Sequence, residues 1–399
     1  MTPPNSPLPA RAATLPSLEG LRAIAVIFVF ASHALVLGAF KDPHPLSVFN
    51  TLTGNGRIGF LAVSFFFVLS GFVLTWSAKP GQTAVGFWRR RMVRIGPAHV
   101  LIAVIALSQF AAAGETIRWG PAFANLFLVQ NWWPSQSLIM YQFNGATWTL
   151  AVELLCYAMF PLLLRFVRGL SYRALWSWII GLGATAILLP VISYPLLSGF
   201  PPSQFYPAGS WPQLWALYFF PPVRSIDFVI GMFLARIIAS GRWPKIRIMP
   251  AVLLNLAAFL LLYHLPIPFG IAAFYPVPAA LLIGALAVRD QSGRRTILST
   301  PFMVWLGELS FAFYIIHITV MFAVHAAFAG DLVGYAHSYT PTAFSTPVAI
   351  LFIIGLYALC VALAWVLHKT VEVPAMRRWS RPAARRAPNH PKPEPQPQT

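Results

Sequence analysis

The sequence predicts an all-α, polytopic transmembrane helix bundle of about ten spans, with both termini cytoplasmic. Three observations lead there. Of 399 residues, 58% are hydrophobic and only 10% charged, and the mean hydropathy is +0.68, which leaves too little polar surface for a water-soluble globule of this size. Apolar runs of roughly 17 to 25 residues recur along the chain, and an open sheet edge in lipid would leave its backbone groups unsatisfied, so the runs are read as helices. With the N-terminus placed inside, all but four of the 28 Lys and Arg fall in cytoplasmic connections; the exceptions are Lys41, Arg57, Arg118 and Arg224.

Taken in order, residues 1–17 form a Pro- and Ala-rich cytoplasmic tail. The first apolar run that follows is too long for a signal-peptide core and is expected to remain as an anchor. Spans are expected at 18–40, 58–77, 92–113, 147–167, 174–194, 216–238, 248–265, 270–288, 302–328 and 346–369, so that residues 18–372 make one membrane domain. Pro121 to Gln130 is too short to cross and, beside Trp132 and Trp133, reads as a re-entrant or interfacial segment. Residues 373–399 are a basic, Pro-rich cytoplasmic tail, disordered after Arg386. The net charge of +18 does not point to nucleic acid, because the basic residues fall in short clusters between apolar runs. The expected partner is the lipid bilayer, and the expected location is the cytoplasmic (inner) membrane, multi-pass. Cys156 and Cys360 each lie alone in an apolar run, without metal-ligand spacing, so neither a disulfide nor a metal site is expected.

Candidate chemistry comes from the few polar residues inside the spans, since an ionisable group there is costly and needs a reason. In Leu18 to His33, Arg22 and His33 are eleven positions apart, about 16 Å along a helix. Counting from the helix starts places His33 and His317 at one level past the membrane middle, with Glu153, Asp227 and Arg224 also in the outer half. A second group, Arg22, Arg91, Arg94 and Glu372, gathers at the cytoplasmic edge. Arginine forks suit phosphate oxygens, although the positive-inside rule alone accounts for clustered arginines as well. A histidine titrating near neutrality suits proton transfer from a hydroxyl, and Glu153 is the carboxylate that could orient it. A histidine that itself carries the acyl group stays open as the alternative.

Several motifs, in order, carry a family resemblance. They are Arg22 and His33 with ten residues between them, FFFVLSGFVLT from Phe65 to Thr75, RRRMVRIGP with Arg91 and Arg94, TWTLAVE ending at Glu153, LGELSFAFYIIH ending at His317, and VEVP from Glu372's neighbour Val371 to Pro374. Together they resemble the membrane-bound acyltransferase-3 family, which includes O-antigen and exopolysaccharide (polysaccharide and lipopolysaccharide) O-acetyltransferases and some macrolide acyltransferases. The resemblance implies acyl-CoA, such as acetyl-CoA, as a cytoplasmic donor, His33 as catalytic residue, and Arg22, Arg91 and Arg94 as donor contacts. It thus joins a reading with Glu153 as the second catalytic residue and Asp227 and His317 on the acceptor side. The acceptor expected is a carbohydrate or glycolipid of the cell envelope, with a macrolide-like small molecule as alternative. A proton-coupled transporter is the competing class, since buried His, Asp and Glu also build proton relays.

Overall fold

The computed structural model of the protein describes residues 14–140, 144–197, 199–203, 209–266, 269, 275–329 and 344–380. Helix α1 (Pro16–Ala34) leads through the short α2 (Pro43–Thr53) to α3 (Arg57–Ser77) and the long α4 (Ala84–Ala112). Two short helices, α5 (Trp119–Leu126) and α6 (Gln136–Met140), precede α7 (Trp148–Gly169) and α8 (Tyr172–Leu196). One turn, α9 (Trp211–Leu214), and a π-helical turn at Trp215–Phe219 run into α10 (Pro221–Ala239). The remainder is α11 (Ile248–His264), α12 (Pro276–Gln291), α13 (Pro301–Glu308), α14 (Ser310–Ala329), α15 (Thr346–Leu367) and α16 (Val373–Trp379). Proline in the first turn, where its missing N–H costs nothing, starts α1, α10, α12 and α15.

By length and composition, seven helical segments among the described residues can cross a membrane. The apolar runs expected at 216–238, 248–265 and 270–288 hold helix too, but fall short of that criterion for two reasons. Helix α10 carries Arg224, Asp227 and Arg236, while α11 and α12 have 17 and 16 residues. Boundaries differ at functionally important places. Helix α4 starts at Ala84, where the Thr83 hydroxyl accepts from the Gly86 N–H at 3.1 Å, and this puts Arg91 and Arg94 about 10 and 15 Å into the helix rather than at its edge. Ser17, expected in the tail, is buried, with its N–H donating to Asp290 Oδ2 at 2.9 Å. Helix α16 occupies part of the segment expected as a tail, and Asp331, expected in an outer loop, lies outside the described residues.

The core is built around α10, which packs on α3, α7, α8 and α12. Its closest neighbour is α3. A Cβ at Gly71 would overlap the Phe228 carbonyl, and a Cβ at Gly231 would overlap the Val68 carbonyl, so each helix meets the other's backbone at a glycine. One turn away, Arg224 pairs with Asp227 at 2.9 Å and donates to Ser64 Oγ on α3 at 2.7 Å, its guanidinium 4.9 Å from the Tyr218 ring and 5.4 Å from Phe67. At the other end of α3, Arg57 donates to the carbonyls of Leu262, Tyr263 and Leu265 and closes the C-terminus of α11. That role explains one of the four basic residues outside the cytoplasmic set. Exposed Ile180, Leu188 and Val191 on α8, Leu253 and Leu260 on α11, and Leu351 and Ile354 on α15 give the bundle the apolar exterior a lipid solvent requires.

Two outcomes are expected. A cysteine introduced at exposed Arg242 should react with an impermeant thiol reagent only after the membrane is opened, whereas one at exposed Lys41 should react in intact spheroplasts; the reverse pattern would invert the topology. Asp227→Ala, which strands the buried Arg224 charge, should destabilise the solubilised protein by about 3 to 5 kcal/mol, while the double replacement Arg224→Met with Asp227→Leu should recover most of the loss in thermal melts. A stable Asp227→Ala protein with weakened acceptor affinity would instead put Asp227 at a substrate.

Candidate active site

The two intramembrane histidines meet. His33, in the last turn of α1, and His317, fully buried in α14, approach to 3.2 Å between His33 Nδ1 and His317 Nε2, with ring centroids 5.1 Å apart. Each Nδ1 also faces a backbone carbonyl of its own helix, Val29 at 2.9 Å and Tyr314 at 2.7 Å. A carbonyl oxygen only accepts, so both Nδ1 atoms carry their protons in the neutral pair. The His33 Nδ1–H is then shared between Val29 O and the His317 Nε2 lone pair. The lone pair of His33 Nε2 is thereby left as the base of the pair. Phe313 stacks on His317 at 5.8 Å and 15°, and Phe30 and Tyr357 close the aromatic wall behind it.

The segment before α7 fixes where His317 stands. The Asn144 side-chain amide donates to the Ile315 carbonyl, and the Tyr314 hydroxyl donates to the Ala146 carbonyl at 3.1 Å, so α14 is held by bonds on both residues preceding Ile316. Thr147 accepts from Asn125 Nδ2 at 2.7 Å, and Asn131 donates to the carbonyls of Trp148 and Phe219. Trp148 sits 4.8 and 4.9 Å from the Tyr218 and Phe219 rings. Helix α5, the turn at Gln130–Trp132, Asn144 and the start of the TWTLAVE motif therefore act as one polar bracket for the site.

A cavity of about 280 Å³ opens on the arginine-rich side. Arg22, Arg91, Arg94, Glu153 and Tyr157 line it, and it reaches as far as Phe66 and Tyr314. Glu19 pairs with Arg22 at 3.0 Å, and the Tyr157 hydroxyl donates to Glu153 at 2.9 Å. Three guanidinium groups thus face two carboxylates, a surplus of positive charge in a confined space. The histidines do not line this cavity: Tyr314 stands between, its ring 5.7 Å from His317 and 6.4 Å from Phe66.

Of the residues singled out in the sequence, His33 and His317 form one group and Arg22, Arg91, Arg94 and Glu153 form another. Glu153 does not orient His33, because His317 occupies that place. Glu153 keeps its expected place along α7, which starts at Trp148, and shares its cavity with Arg91 and Arg94, which lie well inside the early-starting α4. Asp227 lies in neither group; it is paired with Arg224 between α3 and α10. Glu372, in the π-helical turn His368–Glu372, is buried and accepts from His368 Nδ1 at 3.0 Å beside a second cavity that includes Arg94. Sequence reasoning missed Phe66, Tyr157 and Tyr314, which are apolar or aromatic residues in apolar runs. It also missed Asn125, Asn131 and Asn144, whose amides in an otherwise apolar neighbourhood were a usable signal.

The acyltransferase-3 family, described as an acyltransferase domain, matches residues 15–369. The chain is 38% identical to the acyltransferase MdmB of Streptomyces mycarofaciens over 376 residues, 93% of this chain and 94% of that protein. It is 27% identical over 343 residues to the peptidoglycan O-acetyltransferase OatA of Listeria monocytogenes, covering 77% of this chain and 49% of that one. A third relative, the O-acetyltransferase OatA of Staphylococcus aureus, is 33% identical over 169 residues, 38% of this chain and 25% of its own length. The chain therefore spans about half or less of the two O-acetyltransferases. No solved structure matches it. With the family's domain covering nearly its whole length, this multi-pass membrane chain belongs to the acyltransferase-3 family.

Proposed function

We propose that the protein moves an acyl group, acetyl in the simplest case, from cytoplasmic acyl-CoA to a hydroxyl of a cell-surface glycan or glycolipid at the inner membrane. The observation that carries this reading is the arginine-lined cavity that ends one aromatic layer below the paired histidines. Arg22, Arg91 and Arg94 suit a phosphorylated donor. His33 Nε2 takes the proton of the acceptor hydroxyl as its oxygen attacks the thioester carbonyl. The carbon–sulfur bond then breaks, and the proton passes from His33 to the departing thiolate, leaving acyl ester and coenzyme A. His317 accepts the His33 Nδ1–H and stabilises the imidazolium, the part a carboxylate plays in other triads, without bringing a second charge into an apolar site. Glu153, held by Tyr157, is in this reading a positioning residue for the arginines. The glycan acceptor is favoured by the relatives named as peptidoglycan O-acetyltransferases.

His33→Ala should lower turnover about 100- to 10,000-fold in proteoliposomes while the protein still inserts and binds donor. His317→Ala should lower it less, with the acyl-CoA requirement unchanged. An indispensable His317 beside a silent His33 would move the base to α14, and coenzyme A release with no acylated product in His33→Ala would favour an acyl carrier elsewhere. Arg91→Ala or Arg94→Ala should raise the apparent acyl-CoA requirement about 10- to 100-fold, with lysine restoring only part because it lacks the fork. Mass spectrometry of surface glycans with and without the protein tests the acceptor. Unchanged glycans together with acylation of a macrolide-like alcohol would assign a small-molecule acceptor, and gradient-driven uptake without coenzyme A release would assign a transporter.

A further inference from the structure

Two further cavities adjoin the central one through shared lining residues and form its branches, one at the α3–α4 link and one at the turn into α16. The first branch, about 480 Å³, shares Leu74, Ser77 and Arg91 with the central cavity and is completed by Arg90 and the 78–83 link, which includes Lys79. The second, about 580 Å³, shares Arg94 and is completed by His368, Glu372 and Arg377 on the turn into α16 and on α16 itself. The spacing of Arg91 and Arg94 underlies the fork: three residues apart on α4, they share the central cavity, and each serves one branch.

Charge distinguishes the two branches. Lys79, Arg90 and Arg91 line the first, with no carboxylate among its lining residues. Gly81 turns the link with φ +73°, and the Arg90 guanidinium folds back over Gly86, to 3.5 Å from where a Cβ would stand, so it lies along the first turn of α4. The positive end of a 29-residue helix adds to the field there. In the second branch, Glu372 is 3% exposed, and one of its carboxylate oxygens has no hydrogen-bond partner. A phosphate placed there would meet that carboxylate beside the Arg94 and Arg377 guanidinium groups, a weaker net attraction than in the first branch, where three basic residues stand with no carboxylate.

We propose, resting on the acyl-CoA reading above, that the phosphorylated nucleotide end of the donor docks in the α3–α4 branch on Lys79, Arg90 and Arg91, in preference to the Glu372 branch. From Arg91 the donor's uncharged arm then continues into the central cavity toward Tyr314. The RxxR spacing thus becomes a selector: Arg91 belongs to the docking branch, while Arg94 looks toward both the arm and the carboxylate.

Initial rates with acetyl-CoA and with 3′-dephospho-acetyl-CoA, measured on the purified full-length protein in proteoliposomes, test the assignment. Lys79→Ala and Arg90→Ala should each raise KM for acetyl-CoA about 10-fold with kcat unchanged, as expected for loss of one charge-assisted contact. The KM gap between the two donors should shrink in the same variants. An equal rise for both donors would put the diphosphate, rather than the 3′-phosphate, on these residues and also supports docking in this branch. Arg377→Ala should leave both KM values unchanged. Unchanged KM values in Lys79→Ala and Arg90→Ala, or a loss of donor discrimination confined to Arg377→Ala, would overturn the proposal while leaving acyl-CoA as donor. If the wild-type protein used neither thioester but accepted an acyl group from another donor, the acyl-CoA reading would fail and take the docking site with it.

Discussion

A polar group that leaves water inside this bundle is costly unless the protein supplies a partner, because burial of an unpaired charge or donor costs several kcal/mol. Much of the architecture follows from how that demand is met. Arg224 and Asp227 satisfy each other and, through Ser64, tie α10 to α3 where two glycines already bring the backbones together. The bracket at Asn125, Asn131 and Asn144 satisfies the Thr147 hydroxyl and the carbonyls of Trp148, Phe219 and Ile315, and fixes α14 against the start of α7. The histidines satisfy each other. A neutral partner is the less costly choice for a buried imidazole, since an imidazolium–carboxylate pair would require two ions to be desolvated.

The same constraint separates the charged and uncharged parts of the site. Guanidinium groups and carboxylates collect in the cavity on the basic side, where water and counter-charges can reach them. The histidine pair sits behind an aromatic layer with apolar walls. A charged, hydrated donor end and a reactive ester-forming centre therefore occupy different dielectric environments within one short path.

Much of this was legible in the sequence, and the lapses have definite causes. His33 and His317 could be placed at one level by counting because α1 and α14 lie in runs that begin at the same side. Counting also set Glu153 rightly along its helix, since α7 starts at Trp148. It could not show that Glu153 faces Arg91 and Arg94, because the Thr83 cap starts α4 eight residues before the expected boundary at 92. The i, i+3 spacing of Arg224 and Asp227 already permitted a self-contained pair. Phe66 and Tyr314 fall inside two of the ordered motifs, yet nothing there marks their place: an aromatic residue in an apolar run looks the same whether it fills a core or closes a cavity. Helix α10 was recognisable as apolar, but only packing shows that it is enclosed by protein on most sides.

Phe66 and Tyr314 keep the basic cavity from running on to the histidines. A membrane holding a potential of 100 mV stores about 2.3 kcal/mol for each elementary charge that crosses it, and a continuous wet path through titratable groups would let protons dissipate it. Tyr314 interrupts that path among the described residues, its ring lying between the cavity wall at Phe66 and His317. A proton-accepting pair set behind aromatic rings, rather than at the end of an open charged cavity, works against a leak of the energy stored across the membrane.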